Sequence, residues 1–189
     1  MSHRAASRPL TKYTNFKVPV ANVLAPRGKG AAAVVEKAFS ISAALVGAMS
    51  VGIIRTTFSA ALKFAREDTR GGTVPVLHLQ SLADLLINAK IKIDTSRILV
   101  WKALSGLEKG AGDDSSRYET CSQAKVYCSD QAVRAVWETM QWLEYTVFPR
   151  LLNDAIVYSI FDGGNIGLVR CQLQGLMQAE DYKPWASLY

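Results

Sequence analysis

From Val34 to about Glu67 the chain runs without a proline. Phe39, Leu45, Met49, Ile53, Phe58 and Leu62 recur along this stretch at spacings of three to six, which keeps one side of a helix apolar. Ala44, Gly47, Ala48 and Gly52 lie among them. Glycine disfavours a helix on its own account, so small residues here point to close packing by a second helix. The spacing predicts a long, central helix. Its most apolar run, Ile41 to Ile54, is 14 residues and stops at Arg55. A membrane span needs about 20 apolar residues, so the run reads as a buried helix and no membrane role is expected.

The next breaks follow from backbone chemistry. "TRGGTVP", residues 69–75, frees the chain at two glycines and bars helix at Pro75. A second helix is expected from about Leu77 to Leu107, carried by Leu82, Leu85, Leu86, Ala89, Ile93, Ile98 and Trp101, with Asp84 and Lys90 outward. "KGAGDDSSRYE", residues 109–119, has the composition of a flexible connection. A third helix is expected over about residues 122–145, a shorter one over 150–159 after Pro149, and a last one from Ile166 to about Met177. Together these predict an all-α, antiparallel helical bundle. The chain of 189 residues fits one core. The expected organisation is a basic arm over residues 1–30, with a short extended segment near 14–24, a bundle over 31–180 and a tail over 181–189.

Charge is unevenly placed. Arg4, Arg8, Lys12, Lys17, Arg27 and Lys29 fall in residues 1–30 with no acid, and the remainder holds 16 basic and 16 acidic residues, so the net +6 belongs to the arm. Such an arm can attract anionic partners; a solvated tail is the simpler reading, and nucleic acid is not expected. Its Arg- and Ser-rich, acid-free composition leaves organelle import open as an alternative. Cys121, Cys128 and Cys171 form no close metal-binding pair and are odd in number. A cytoplasmic or other reducing intracellular compartment is therefore expected. Cys121 and Cys128, seven apart, share one helix face as small buried thiols. With His3 and His78 as the histidines, neither a metal cluster nor a Ser-His-Asp arrangement has enough members. Trp101, Trp137, Trp142 and Trp185 read chiefly as core or subunit-interface packing.

"IFDGGNIGLVR", residues 160–170, interrupts this helical pattern with a carboxylate on two glycines. A carbon base needs a carboxylate on a fixed, partly desolvated turn, and glycines let a ligand approach the backbone. Asp162 is the candidate for that role. The competing reading makes Asp162 or Asn165 a cap of the last helix.

Several segments, taken in order, resemble the acyl-CoA dehydrogenase family, and within it the nitroalkane oxidase-like branch. "FKVPVANVLAPRGKG" is similar to the exit of the family's β domain, "PVLHLQSLADL" to P-I-x-x-x-Q-x-x-x-x-x-L-A-D-M, and "SRILVWKA" to A-R-x-L-x-x-x-A. "QAKVYCSDQAVRAVWETMQ" resembles the A-K-x-x-x-S-x-x-A helix, and "NDAIVYSIFDGG" resembles R-D-A-x-x-x-x-I-Y-E-G-T. The resemblance covers about residues 16–178. It implies the family's C-terminal helical bundle, without the N-terminal domain and most of the β domain. It also puts Asp162 at the place of the family's proton-abstracting acid, and Gly163, Gly164 and Asn165 match the D-G-G-N context of the oxidases.

Departures from the pattern shape the functional expectation. The flavin-contacting R-x-x-F-G is replaced by "DTRGGTVP", and Q-x-x-G-G-x-G by "QWLEY". Gln80, Gln141 and Arg70 remain as cofactor-binding candidates. The resulting expectation is a shortened relative that needs no cofactor: an acid/base catalyst, isomerase or cyclase, on a small organic molecule of specialised metabolism. In that reading Asp162 is catalytic, and Phe161, Gly163, Gly164, Asn165 and Trp142 bind substrate. The alternative is a non-catalytic or companion subunit of a flavin-dependent oxidoreductase, with flavin adenine dinucleotide (FAD) held only with another chain or at an oligomer interface. A homo-oligomer is expected in either case.

Overall fold

A computed structural model describes residues 10–23, 28–110, 112–143 and 147–186. Arg4, Arg8, Arg27 and His3 of the arm, Glu144 and the last three residues of the tail lie outside the described residues. Five α-helices follow in order: α1 Lys29–Glu67, α2 Gln80–Lys109, α3 Asp114–Met140, α4 Phe148–Ile160 and α5 Arg170–Met177. There is no strand among the described residues. Helices α1 to α4 form the up-and-down bundle, with α1 packed against α2, α3 and α4. Of the segment expected to be extended near residues 14–24, the described residues, to Val23, carry only a 3-10 turn at Val20–Asn22, with Phe16, Val18 and Val20 exposed.

The face that α1 buries is the small one. Ala43, Ala44, Val46, Ser50, Ile54, Thr57, Ala61 and Ala65 are buried, whereas Leu45 and Met49 are substantially exposed. Ser50 and Thr57 satisfy their hydroxyls on the carbonyls of Val46 and Ile53 one turn back, so they enter the core with their polar groups paired. Gly47 marks the closest approach: a Cβ there would stand 3.2 Å from both the Ala124 carbonyl oxygen and Val100 Cγ2. Gly52 has nothing within 4 Å of that position, so close packing does not account for it. The segment Lys37–Glu67 is long and apolar enough to cross a membrane, but 47% of its most apolar window is buried within the bundle.

On α2 the buried stripe is Leu82, Leu86, Ala89, Ile93, Val100 and Ala103, and Ile98 and Trp101 lie outside it. The connection after α2 is much shorter than expected. Gly110 closes α2 in the left-handed conformation, and Asp113 starts α3 by accepting a hydrogen bond from the Ser116 amide at 2.8 Å. The glycine, acids and serines of residues 109–119 are thus mostly helix-end chemistry, and residues 114–119 are helical. That amide bond, foremost, holds the Asp113 carboxyl below the usual carboxylate range.

Candidate functional site

After α4 the chain turns on three successive residues in the left-handed region: Asp162 at φ 56°, Gly163 at 93° and Gly164 at 68°. A π-helical turn, Gly164–Val169, follows and leads into α5. Aspartate is among the few non-glycine residues that enter this region readily. A Cβ on Gly163 would come within 3.2 Å of Leu168 Cδ2. The interruption is therefore a tightly built corner, and π-turns of this kind often accompany functional sites.

The Asp162 carboxylate is half-buried and faces α1, where the Ser42 hydroxyl lies 2.8 Å from one oxygen and 2.9 Å from the other. Its side chain caps no helix. Asn165, 3% exposed, also makes no cap bond. Its amide nitrogen donates to Ser129 Oγ and Asp130 Oδ1, both at 2.7 Å, and its oxygen accepts from Lys125 Nζ at 2.7 Å. Lys125 is fully buried in α3. Burial, foremost, pushes the lysine's pKa down, and the charges of Asp162 and Asp130 pull it back up. The corner is consequently pinned to α1 by Asp162 and to α3 by Asn165.

Sequence reasoning missed Ser42, Lys125, Ser129 and Asp130 as parts of this site. A signal for two of them was present: Lys125 and Ser129 are the lysine and serine of the A-K-x-x-x-S pattern, one turn apart on a buried face. Nothing local marks Ser42.

The remaining candidates divide by position. Phe161 adjoins the corner and packs on Tyr158 with ring centroids 5.6 Å apart. Trp142 sits beyond the far end of α3, which rises about 22 Å from Lys125 to Met140. There its carbonyl accepts from Arg70 Nη2 at 3.2 Å. Arg70 also pairs with Asp68 and lies over the Phe64 ring at 5.3 Å. Gln80 donates to Asp84 at 2.8 Å, and Gln141 is an exposed residue at the end of α3. The geometry thus brings Asp162, Gly163, Gly164, Asn165 and Phe161 together and leaves Trp142, Arg70, Gln80 and Gln141 outside that corner.

An open cavity of about 810 Å3 lies near the site, lined by Ile41 beside Ser42 and by Lys37, Leu107, Arg117, Tyr118 and Leu176. Asp162 is not among its lining residues. Among the described residues no three His, Cys, Asp or Glu side chains gather as a metal would require.

Residues 28–166 match the acyl-CoA dehydrogenase C-terminal domain family. The chain belongs to that family. It is 47% identical over 193 residues to the nitroalkane oxidase of Fusarium oxysporum, covering 99% of this chain and 44% of that protein. A structure of a nitroalkane oxidase active-site aspartate-to-asparagine mutant with 1-nitrooctane superposes with a TM-score of 0.89 at 46% identity, over 94% of this chain and 43% of that one. Another, of the flavoprotein nitroalkane oxidase, also superposes with a TM-score of 0.89, at 47% identity and the same coverage; it concerns the roles in the reaction of an arginine and of an aspartate seven residues before it. The chain therefore spans less than half the length of these relatives.

This kinship to a flavoprotein overturns the expectation that the acyl-CoA dehydrogenase-like chain works without a cofactor. The altered "DTRGGTVP" and "QWLEY" segments had suggested lost flavin contacts, but changes at two contact segments do not decide the cofactor of a chain that is 47% identical to a nitroalkane oxidase. The described residues do not by themselves fit a flavin cradle. The Arg70 guanidinium is committed to Asp68, Phe64 and the Trp142 carbonyl, and Gln80 to Asp84.

Proposed function

We propose that this chain is the proton-abstracting domain of a nitroalkane oxidase-type flavoenzyme, with Asp162 removing a proton from the carbon beside a nitro group. The observation that carries the reading is the Asp162 corner, a half-buried carboxylate on a tight turn with both oxygens in reach of one hydroxyl. A carboxylate so placed has its rotamer fixed and presents its remaining lone pairs in a defined direction, as general-base catalysis requires. The relatives add support: an aspartate is an active-site residue in the 1-nitrooctane structure. The carbon acid is matched to such a base because the nitro group takes up the negative charge as the C–H proton passes to the carboxylate.

One difference accompanies the likeness. In the related flavoprotein an arginine follows the aspartate by seven residues, whereas the residue seven beyond Asp162 is Val169 and the arginine comes one later, at Arg170. Association with further protein, a second copy or a companion flavoenzyme subunit, is part of the proposal. Exposed Ile98, Trp101 and Trp137 support it as apolar surface beyond the bundle's own core.

The deciding experiment follows the α-protons of nitroethane by NMR in D2O, with the full chain, with and without added FAD. Exchange catalysed by the wild type and lost in Asp162→Asn, at unchanged melting temperature, is the expected result. Equal exchange by both proteins, or none by either, would remove the reading.

A further inference from the structure

Val34, Lys37 and Ile41 follow one another on α1 at spacings of three and four, so they share a face. Each residue turns about 100° around a helix axis, which puts Ser42, and the Asp162 corner it holds, round the side from that face. The face closes one side of the 810 Å3 cavity, and Leu107 of α2, Tyr118 of α3 and Leu176 of α5 line the others. Small-molecule sites occupy about 300–1,000 Å3, so the space is of ligand size.

The apolar part of the lining, Val34, Ile41, Leu107 and Leu176, is aliphatic. The polar groups around it are unevenly paired. Arg117 pairs with Asp114 and donates to the carbonyls of Gly110 at 2.9 Å and Gly112 at 2.5 Å, so that cation and that carboxylate are both engaged. The Tyr118 hydroxyl donates to Oε1 of the half-buried Gln172, which fixes the amide and leaves its Nε2 without a hydrogen-bond partner among the described residues. Lys37 makes no ion pair with a described residue. The cavity therefore presents one charged donor and one amide donor beside an aliphatic wall. A ligand that matches has an acceptor-only, negatively charged end on an aliphatic body, and an ionised carboxylate is such an end.

We propose that this cavity is a ligand site distinct from the Asp162 corner, taking a small aliphatic carboxylate whose chain lies against Val34, Ile41, Leu107 and Leu176 and whose charge is met by Lys37 and the Gln172 amide. Asp162 does not line it, and the proposal does not depend on proton abstraction at the corner.

Octanoate titrated into the full chain, followed by two-dimensional amide NMR, tests it. Saturable shifts are expected at residues around the cavity, with the same affinity in Asp162→Asn. Gly175 lines the cavity, and a Cβ built on it meets nothing within 4 Å. Gly175→Phe can therefore place its ring in the space, and should abolish binding without lowering the melting temperature. Lys37→Met keeps the stem and removes the charge from an exposed position, so it tests the charge whatever the ring does to α5. It should weaken octanoate about two- to fivefold, the effect of losing one exposed ion pair, and 1-octanol should bind the wild type more weakly by a similar factor. The proposal is overturned if millimolar octanoate gives no saturable shifts, if a folded Gly175→Phe binds undiminished, or if Asp162→Asn loses binding. It is also overturned if Lys37→Met binds octanoate, or the wild type binds 1-octanol, as tightly as the wild type binds octanoate.

Discussion

Ser42 in α1 and Asp162 after α4 meet across 120 residues of chain, the serine hydroxyl 2.8 and 2.9 Å from the two carboxylate oxygens. It has a single proton to donate, to either carboxylate oxygen or to the Phe39 carbonyl 3.1 Å away, and a bond to either carboxylate oxygen keeps that group turned toward α1. A hydrogen bond to a charged group contributes about 1.5–3 kcal/mol when buried, and less here because the pair is only half-buried. Ser42→Ala is expected to lower unfolding free energy by about 1 kcal/mol. The Ser42→Ala/Asp162→Ala double mutant should be less destabilised than the sum of the singles. Urea denaturation of the four proteins measures this, and strict additivity would mean that the contact contributes nothing.

Asn165 should matter more to folding than Asp162 does. Its amide is the junction of Lys125, Ser129 and Asp130, and removing it strands a buried ammonium. Breaking one partner of a buried charged network costs about 3–5 kcal/mol. Asn165→Ala should therefore unfold at distinctly lower denaturant than Asp162→Asn, which keeps the corner's backbone preference. Equal midpoints for the two variants would contradict this division between anchor and base.

How much of this was legible beforehand differs between the bundle and the site. Helix existence and order followed from apolar spacing, because Leu82, Leu86, Ala89 and Ile93 bury one stripe whatever they pack against. The buried face of α1 was read only in part: Ala44, Gly47 and Ile53 are inside as expected, but Leu45 and Met49 are not, because large residues are the usual marker of a core. Asp162 was found since its turn has a local signature. Ser42 and Lys125 were not, because their roles arise from tertiary contact, and a lysine alone in a sequence reads as surface.

The two glycines of α1 should respond oppositely to alanine. At Gly47 the new methyl would press on the Ala124 carbonyl and Val100 at 3.2 Å, forcing α1 from α3. Overpacking of this sort costs about 1–3 kcal/mol. At Gly52 the methyl meets open space and gains helix propensity, worth about 0.8–1 kcal/mol. Gly47→Ala is expected to lower the melting temperature and Gly52→Ala to raise it. Thermal unfolding by circular dichroism reads both signs, and a stabilising Gly47→Ala would refute the close helix approach.

Cysteine chemistry supplies a pH-dependent outcome. Cys121 and Cys128 are buried free thiols on α3, and burial pushes both up to about 11 from an ordinary value of 9.0; Cys171 is exposed. In the folded chain the two buried thiols hold their protons between pH 9 and 11, while the unfolded chain releases them. The native state then binds more protons than the unfolded one, so stability must fall as pH rises through that window. Urea midpoints measured from pH 8 to 11 should decline, and the decline should shrink in Cys121→Ala/Cys128→Ala. In the native protein at pH 8, a thiol-reactive chromophore should titrate Cys171 promptly and the other two only after denaturant is added. Rapid labelling of all three would show that α3 is not packed as described.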